Sequence, residues 1–515
     1  MNNNQHVPSL LVIRGRIEQA NYHDAEIPNY RENPLIEALP PILNQDDTAI
    51  CLARFPEYEK EHRNMPAHLR LHLIQNALQF FVPLPVHFDL EQRFSRMIRV
   101  GYQARNPALQ GFWSDIHARV QALGTIPSSS PRSTATGFTI IGISGVGKTT
   151  SLEAILSLYP QVIIHNRYRE RDFSFTQIVW LKLDCPFDGS IKGLCLNFFQ
   201  AVDDLLGTRY YDNYASGRKT VDELLPRMAK VASLHSIGVL VIDEIQHLSQ
   251  AKSGGSSKML NFFVQLINTI GLPVVLVGTY KAMSVLCGEF RQTRRGTGQG
   301  DLVWDRMKKD ETWDWFLECL WEYQYVSKPS PLNAALSKAL YDVTQGITDF
   351  AIKVYMLAQI RAIVDKEEAV TEQNIRLAAE EGLRMANPIL TALKNNDIRI
   401  LSTVEDVHPV DLDPFLEEAQ SKLNRAEQFR ALARTQISTK SGEVLQSNST
   451  IALESKVSSD TTPKTSRRRK RTDPLEGSLP EIAARGEKQQ LTAYDALQQA
   501  GLIRSANEYL LEEVS

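Results

Sequence analysis

The chain has 515 residues, which is too many for one hydrophobic core and predicts about two to four domains. Its composition, 43% hydrophobic and 23% charged, is typical of a water-soluble globular protein. No stretch approaches the roughly 20 consecutive apolar residues that span a bilayer, and the N-terminus lacks the pattern of a secretory signal. The five cysteines show no C-x-x-C pairing, which argues against a disulfide framework or a zinc site. We therefore expect a cytoplasmic protein without membrane contact.

Residues 1–130 are predicted to be an N-terminal extension for partner docking, irregular at first and then helical. The stretch YRENPLIEALPP (30–41) has prolines at its end and an apolar centre, typical of a docking segment or a short helix. Between residues 89 and 123, apolar residues recur at helical spacing. A Ser-, Thr- and Pro-rich stretch at 127–136 indicates a domain boundary.

Residues 131–326 alternate short apolar runs with helical patterns, which predicts parallel strands buried on both faces. Helices on both faces of such a sheet would give a three-layer α/β domain. The predicted strands are 137–143, 176–184, 238–244, 273–279 and 322–326.

The rest of the chain is predicted to be helical and then low in complexity. Residues 327–400 read as a helical lid, with Thr371 as the N-cap of one helix, and 401–437 as a helical extension. Residues 438–472 are Ser/Thr-rich and end in a basic run, which predicts a disordered basic linker. The tail 473–515 has eight acidic residues against three basic ones, and its short amphipathic stretches favour partner binding.

The segment GISGVGKT (142–149) matches the pattern G-x-x-x-x-G-K-[ST], between a predicted strand and a predicted helix. Such a turn directs backbone N–H groups at phosphate, and the helix N-terminus adds a favourable dipole. Lys148 would reach the β- and γ-phosphates, and the Thr149 hydroxyl would ligate magnesium. The predicted nucleotide-binding residues are Gly142, Ser144, Gly145, Val146, Gly147, Lys148, Thr149 and Thr150.

The segment VLVIDE (239–244) places two carboxylates at the end of an apolar run. Ligands of open α/β sheets bind at the carboxyl ends of the strands, so Asp243 is expected to hold the magnesium ion together with Thr149. Glu244 would polarise the attacking water. An isolated pair of this kind is more often a solvated loop. After the phosphate-binding loop at 142–149 (the P-loop), it predicts ATP hydrolysis with ATP and Mg²⁺ as cofactors.

Two later features are candidates for completing the site. Thr279 follows the apolar run PVVLVGT and is either a γ-phosphate sensor or an N-cap for the next helix. Arg291, Arg294 and Arg295 lie in a glycine-rich stretch. Guanidinium groups stabilise charge on a transferring phosphoryl group, often from a neighbouring subunit. Arg294 or Arg295 is thus a candidate arginine finger, and a solvated basic loop is the alternative.

The order of these motifs is similar to that of initiator-like AAA+ proteins. Three segments, 30–41, 96–107 and 240–264, resemble TnsC, the target-selection ATPase family of cut-and-paste bacterial transposons. The resemblance covers roughly residues 25–400. The resemblance implies an AAA+ domain with a helical lid. It also implies that the protein is an ATP-dependent regulator of transposition that forms a ring or filament on double-stranded DNA. Such a protein receives a signal from a target-site protein of the TnsD/TniQ type and recruits and activates the transposase subunits.

The resemblance also implies roles for residues outside the central motifs. Lys353, on a lid helix, would act as a second sensor, although many AAA+ proteins have Arg there. DNA contact would be to the backbone, through Lys, Arg and short polar groups. The candidates form two groups: Arg167, Arg169 and Arg171 in the first, and Ser190 and Lys192 in the second. For each group, a solvated surface loop is the alternative.

Two other functions remain open from the sequence. One is an AAA+ loader or initiator of replication. The other is a signalling P-loop ATPase that binds nucleotide and protein but no nucleic acid. The N-terminal segments favour the TnsC-like function over both.

Overall fold

A computed structural model of the chain describes residues 15–121, 134–215, 219–250, 255–286, 300–395 and 418–419. The arginines at 291, 294 and 295, the basic linker and the acidic tail lie outside these residues. The strands are β1 (Ile17–Gln19), β2 (Phe138–Gly142), β3 (Val162–Tyr168), β4 (Arg171–Ile178), β5 (Trp180–Asp184), β6 (Val239–Asp243), β7 (Val274–Gly278) and β8 (Leu302–Trp304).

The helices fall into three groups along the chain. Before β2 lie α1 (Pro34–Glu37), α2 (Gln45–Leu52), α3 (Ala67–Ile74), α4 (Pro85–Gln103) and α5 (Phe112–Gln121). Between the strands lie α6 (Lys148–Leu156), α7 (Ile191–Leu206), α8 (Val221–Leu234), α9 (Gly255–Gln265) and α10 (Met283–Leu286). After β8 come α11 (Glu311–Trp321), α12 (Ala334–Thr344), α13 (Thr348–Val364), α14 (Glu372–Gly382) and α15 (Asn387–Lys394).

The main sheet has five strands in the order β5-β6-β7-β2-β8, and every pair is parallel. Parallel strands need crossover connections, and helices such as α7 and α8 between β5 and β6 supply them. The register places Asp184 opposite Asp243, so two carboxylates end neighbouring strands at the same edge.

Alternate residues of the central strands belong to two separate hydrophobic clusters. On β6, Val239 and Val241 pack in one cluster, while Leu240 and Ile242 pack in the other. The first cluster also contains side chains of α4, α6 and the helices after β8, and the second contains those of α7, α8 and α9. Because successive strand residues point to opposite faces, these clusters are the two helix–sheet interfaces of a three-layer fold. The predicted fold class is therefore confirmed.

The predicted strand at 322–326 is wrong, and β8 takes the place of the fifth strand. The alternating apolar residues there are buried, but their backbone groups are satisfied by side chains. Gln359 accepts from the N–H of Tyr325 at 2.8 Å and donates to the carbonyl of Tyr323 at 3.1 Å. Arg70 donates to the Tyr325 carbonyl at 2.9 Å. A segment whose apolar residues alternate, and whose backbone groups are hydrogen-bonded by side chains, has the same sequence periodicity as a strand.

The single strand predicted at 176–184 is two elements that belong to different sheets. β4 pairs antiparallel with β3, which also pairs with β1, whereas β5 belongs to the main sheet. The β3–β4 turn contains Arg169 and Glu170, with φ of +44° and +64°. A two-residue hairpin turn with both residues in the left-handed region usually contains Asn or Gly, so this hairpin carries no turn signal in its sequence.

The segment 30–41 folds into α1 and packs inside the chain. Leu35 is fully buried, and the Asn33 side chain accepts from the N–H of Leu35, which caps the helix. Asn33 also donates to the carbonyl of Tyr102 at 2.8 Å, which joins this segment to the end of α4. The short helix is thus confirmed, and its apolar centre is part of the chain's own core.

The lid region is helical as predicted. Thr371 caps α14, with its hydroxyl accepting from the N–H of Asn374 at 3.2 Å. Of the helices that the structure describes, none combines the length and apolar character needed to cross a membrane.

Candidate nucleotide site

The P-loop lies where the sequence predicts it, between the end of β2 at Gly142 and the start of α6 at Lys148. Gly145 and Gly147 have φ of +84° and +94°, a backbone region that is strained for other residues and accessible to glycine. The two glycines turn the chain sharply before the first turn of α6. This geometry exposes the unpaired N–H groups of a helix N-terminus, which suits a phosphate.

Lys148 extends back along the loop. Its ammonium donates to the carbonyls of Gly142 at 3.0 Å and Ile143 at 2.8 Å. Its side chain is buried against the loop and lines the adjacent cavity. The cation is thus held beside the turn that would surround the phosphates.

Thr149 and Asp243 meet across the edge of the sheet. The Thr149 hydroxyl donates to Asp243 Oδ2 at 2.9 Å, and Asp243 Oδ1 accepts from the N–H of Glu244, also at 2.9 Å. A hydroxyl and a buried carboxylate are oxygen ligands of the kind that Mg²⁺ prefers, with nucleotide phosphates and waters as the remainder. The two residues therefore fit the magnesium site that the sequence predicts.

Lys182 lies beside this pair, a neighbour that the sequence analysis did not identify. Its ammonium lies 3.4 Å from Asp243 Oδ2 and 3.2 Å from Glu153 Oε1. Burial lowers the pKa of Lys182, but the carboxylates of Asp243, Asp184 and Glu153 outweigh that effect and raise the pKa overall. The Lys182 ammonium therefore stays charged and partly offsets the carboxylates at this edge.

Glu244 follows Asp243 in a left-handed conformation, with φ of +56°. Its carboxylate accepts from the side-chain amide of Gln246. The amide oxygen of Gln246 in turn accepts from the backbone N–H of Thr279 at 3.1 Å. The two predicted residues Glu244 and Thr279 are thus linked by Gln246, which the sequence analysis did not identify.

Thr279 lies at the end of β7 and lines the same cavity as Lys148 and Glu244. Its side chain makes no capping hydrogen bond to the short helix Tyr280–Ala282 that follows. The sensor role of Thr279 therefore stays a prediction.

A cavity of about 700 Å³ is bounded by the P-loop, the two carboxylates and Thr279, a volume typical of small-molecule sites. A further part of its wall was not predicted. Residues 78–87 contribute to it, among them Phe81, Val82 and Val86. Apolar and aromatic side chains suit a flat nucleobase. The segment FFVPLPVHF (80–88) has no nucleotide-binding motif, so only its apolar character was readable from the sequence.

His87 joins this wall to the P-loop helix. Its Nδ1 accepts from the N–H of Leu84 at 2.8 Å, and its Nε2 lies 2.9 Å from the Ser151 hydroxyl on α6. Burial lowers the pKa of His87 to about 4. The ring is therefore neutral near pH 7, with Nε2 carrying the proton.

The lid contacts the P-loop directly. The N–H of Asp349 on α13 donates to the carbonyl of Gly145 at 3.0 Å, and Lys353 donates to the Asp349 carboxylate at 2.9 Å. Asp349 lines the cavity. Lys353, the predicted second sensor, thus pairs with a residue of the cavity wall.

The candidate DNA-binding residues occupy two places. Arg167 and Arg171 lie on β3 and β4 with Arg169 in the turn between them, and all three are exposed. Arg169 pairs with Glu32 at 3.0 Å and Glu37 at 3.4 Å, which offsets much of its charge.

The second place is the start of α7. The Ser190 hydroxyl caps this helix by accepting from the N–H of Gly193 at 3.1 Å, and Lys192 lies in the first turn. A capping role accounts for Ser190 without any DNA contact.

The parallel sheet, the P-loop and the carboxylates at the sheet edge define a P-loop AAA+ ATPase fold, which implies nucleotide binding. Residues 132–286 match the family model described as an AAA domain. No curated protein matches the chain.

Solved structures that match the chain include the Aeropyrum pernix ORC1 protein in complex with DNA. That match has 15% identity, a TM-score of 0.34, and covers 62% of this chain and 84% of the other. Cdc6p from Pyrobaculum aerophilum matches with 14% identity and a TM-score of 0.33, over 54% and 70%. Drosophila ORC bound to DNA matches with 13% identity and a TM-score of 0.34, over 78% and 88%. Scores of this size carry no information about function.

Proposed function

We propose that this chain hydrolyses ATP in a magnesium-dependent reaction. The observation that carries the proposal is the contact of Thr149 with Asp243 at 2.9 Å, on the wall of one cavity that Lys148, Glu244 and Thr279 also line. Lys148 and the P-loop N–H groups bind the phosphates, and Thr149 and Asp243 hold the metal ion. Glu244 accepts a proton from the attacking water, and the apolar wall at 78–87 contacts the base.

Replacing Glu244 by Gln tests this assignment. Glu244→Gln keeps the size and the hydrogen-bonding capacity of the side chain but removes the basic carboxylate. We expect ATP hydrolysis to fall about 100-fold or more, while the affinity for a non-hydrolysable ATP analogue stays unchanged. Glu380→Gln is the matched control, because it is the same substitution at an exposed position of α14. Normal turnover in Glu244→Gln would refute the proposed role.

We further propose that the nucleotide state of this chain controls its assembly on DNA, as a TnsC-like regulator of transposition that signals to a transposase. The support is the resemblance of segments 30–41, 96–107 and 240–264. The first two segments contact each other in the fold, through Asn33 and Tyr102 at 2.8 Å and through Arg99 and Pro40 at 2.5 Å. The third contains residues 240–243 of β6 and the carboxylates of the site. All three segments lie in the same compact unit of the fold as the nucleotide site.

Duplex DNA binding distinguishes this proposal from a signalling ATPase. With a non-hydrolysable ATP analogue present, filter binding should retain duplex of any sequence, and the affinity should fall steeply with salt because the contacts are to phosphates. Absence of ATP-dependent DNA binding would favour a signalling ATPase. A chain that binds DNA could also be a replication loader, and pull-down of transposase subunits rather than a replicative helicase would exclude that alternative.

A further inference from the structure

Gln246 is a buried amide that contacts two predicted functional residues. It is 2% exposed and follows Asp243 and Glu244 in the short helix Ile245–Gln250. Its Nε2 donates to Glu244 Oε2, and its Oε1 accepts from the N–H of Thr279 at 3.1 Å. One side chain thus spans from the end of β6 to the end of β7.

The chemistry of the two partners permits only one orientation of this amide. A backbone N–H can only donate and an ionised carboxylate can only accept. The oxygen of Gln246 must therefore face Thr279, and its NH₂ group must face Glu244. Rotating the amide by half a turn would break both hydrogen bonds, so each contact fixes the other.

The backbone at Gly278 lies so close to this amide that it leaves no room for a side chain. Gly278 precedes Thr279, and a Cβ added at Gly278 would lie 2.8 Å from Gln246 Oε1 and 2.6 Å from Ile245 Cγ2. Any side chain at position 278 would therefore displace the amide. Glu244 itself has a φ of +56°, a strained conformation for a non-glycine residue that persists where the surroundings impose it.

The geometry points to Gln246 as a positioning residue that couples the end of β7 to the catalytic carboxylate. This inference rests on the proposed ATPase function. Gln246 is not among the described residues that line the cavity, so it acts through Glu244 and Thr279. A displacement of Thr279 by the terminal phosphate is transmitted through a rigid amide to the Glu244 carboxylate, so the base is aligned when the phosphate is in place.

Two substitutions of matched size test the coupling. Gln246→Met removes both hydrogen bonds, and Gln246→Glu keeps the acceptor for the Thr279 N–H but replaces the donor to Glu244 by a carboxylate. We expect each to lower the kcat of ATP hydrolysis at least about tenfold, since a displacement of about 1 Å costs on the order of 100-fold. The Kd of a non-hydrolysable ATP analogue should change by less than about twofold, because no contact to nucleotide is lost.

Gln359→Met is the control, because Gln359 is also a fully buried amide with one donated and one accepted hydrogen bond. It should lower thermal stability without changing kcat. On a Glu244→Gln background, Gln246→Met should cause little further loss, because the two residues act as a unit.

The outcomes separate this inference from the proposed function. If Glu244→Gln leaves hydrolysis intact, the proposed function fails. If Glu244→Gln abolishes hydrolysis but kcat is unchanged or raised in either folded Gln246 variant, the positioning role is refuted. A comparable fall of kcat in Gln359→Met would also refute it, since the effect would then be one of general stability.

Discussion

At the scale of single residues, the site depends on a few side chains that approach from different parts of the chain. Thr149 and Asp243 are 94 positions apart and lie 2.9 Å from each other. Lys148 is held along the P-loop by two backbone carbonyls. These contacts are polar rather than part of the apolar core, so substitutions here should change nucleotide binding more than folding.

Lys148→Ala should weaken ATP binding about tenfold or more, since a hydrogen bond to a charged group contributes roughly 1.5–3 kcal/mol. The thermal stability of the nucleotide-free protein should change little. Lys60→Ala, an exposed lysine elsewhere, serves as the control. Isothermal titration with a non-hydrolysable ATP analogue measures the effect, and an unchanged affinity would refute the phosphate-binding role.

His87 predicts a pH dependence of stability. Burial lowers its pKa to about 4 in the folded protein, against about 6.5 in the unfolded chain. Between these values the unfolded chain binds more protons, so this residue makes the fold lose stability as the pH falls from about 6.5 towards 4, by up to about 1.4 kcal/mol per pH unit. His87→Gln should flatten the dependence of the melting temperature on pH in this window, whereas His68→Gln, at an exposed position, should not. An equally steep dependence in His87→Gln would contradict the assignment.

At the scale of elements, the N-terminal helices are packed into the ATPase fold. Arg70 on α3 forms two hydrogen bonds of 2.7 Å to Glu368, in the loop between α13 and α14. Arg70 also donates to the Tyr325 carbonyl. This ion pair joins the segment before the P-loop to the helices after β8.

Arg70→Met should lower the free energy of unfolding by about 3–5 kcal/mol, because it leaves the partly buried Glu368 carboxylate without its cation. The double variant Arg70→Met with Glu368→Gln should lose less than the sum of the two single variants. Urea denaturation of all three variants measures this coupling. Additive losses would show that the pair contributes nothing beyond its separate contacts.

At the scale of the whole molecule, the proposed assembly predicts that one subunit completes the site of another. Arg294→Ala and Arg295→Ala should each be tested in mixtures with Lys148→Ala subunits. If either arginine acts in trans, mixing should partly restore hydrolysis, because Lys148→Ala subunits still supply an intact arginine to a neighbour's intact site. Sedimentation of the same mixtures shows whether the variant subunits still assemble. Absence of any gain in mixtures that do assemble would contradict a finger acting between subunits.

The acidic tail 473–515 is proposed to capture a transposase subunit, with the linker 438–472 setting its effective concentration near the DNA. An acidic segment is repelled by phosphate, so truncation after Ile437 should leave ATP hydrolysis and DNA-stimulated assembly intact. Recruitment of the transposase, measured by pull-down on DNA, should be lost. Recruitment by the truncated chain would place the docking site on the ATPase core.

The sequence by itself determined the parts of this protein in which local pattern and function coincide. The P-loop had to lie between a strand and a helix, because its glycines permit the sharp turn that leads from β2 into α6. Asp243, Glu244 and Thr279 had to lie at the carboxyl edge of the sheet, because apolar runs such as β6 and β7 precede them. Short-range patterns of this kind are readable because each residue's role depends on its immediate neighbours.

Only the tertiary structure decided the contacts between segments distant in sequence. The cavity wall at 78–87 and the neighbour Lys182 are close to the site only because the fold brings them there. The run 322–326 alternates like a strand, but Gln359 and Arg70 satisfy its backbone groups. The amide of Gln246 links two strand ends, and nothing in the neighbouring sequence indicates this link. Such contacts are invisible in the sequence because hydrogen-bond partners are selected by position in space, whereas periodicity reports only which face of an element is buried.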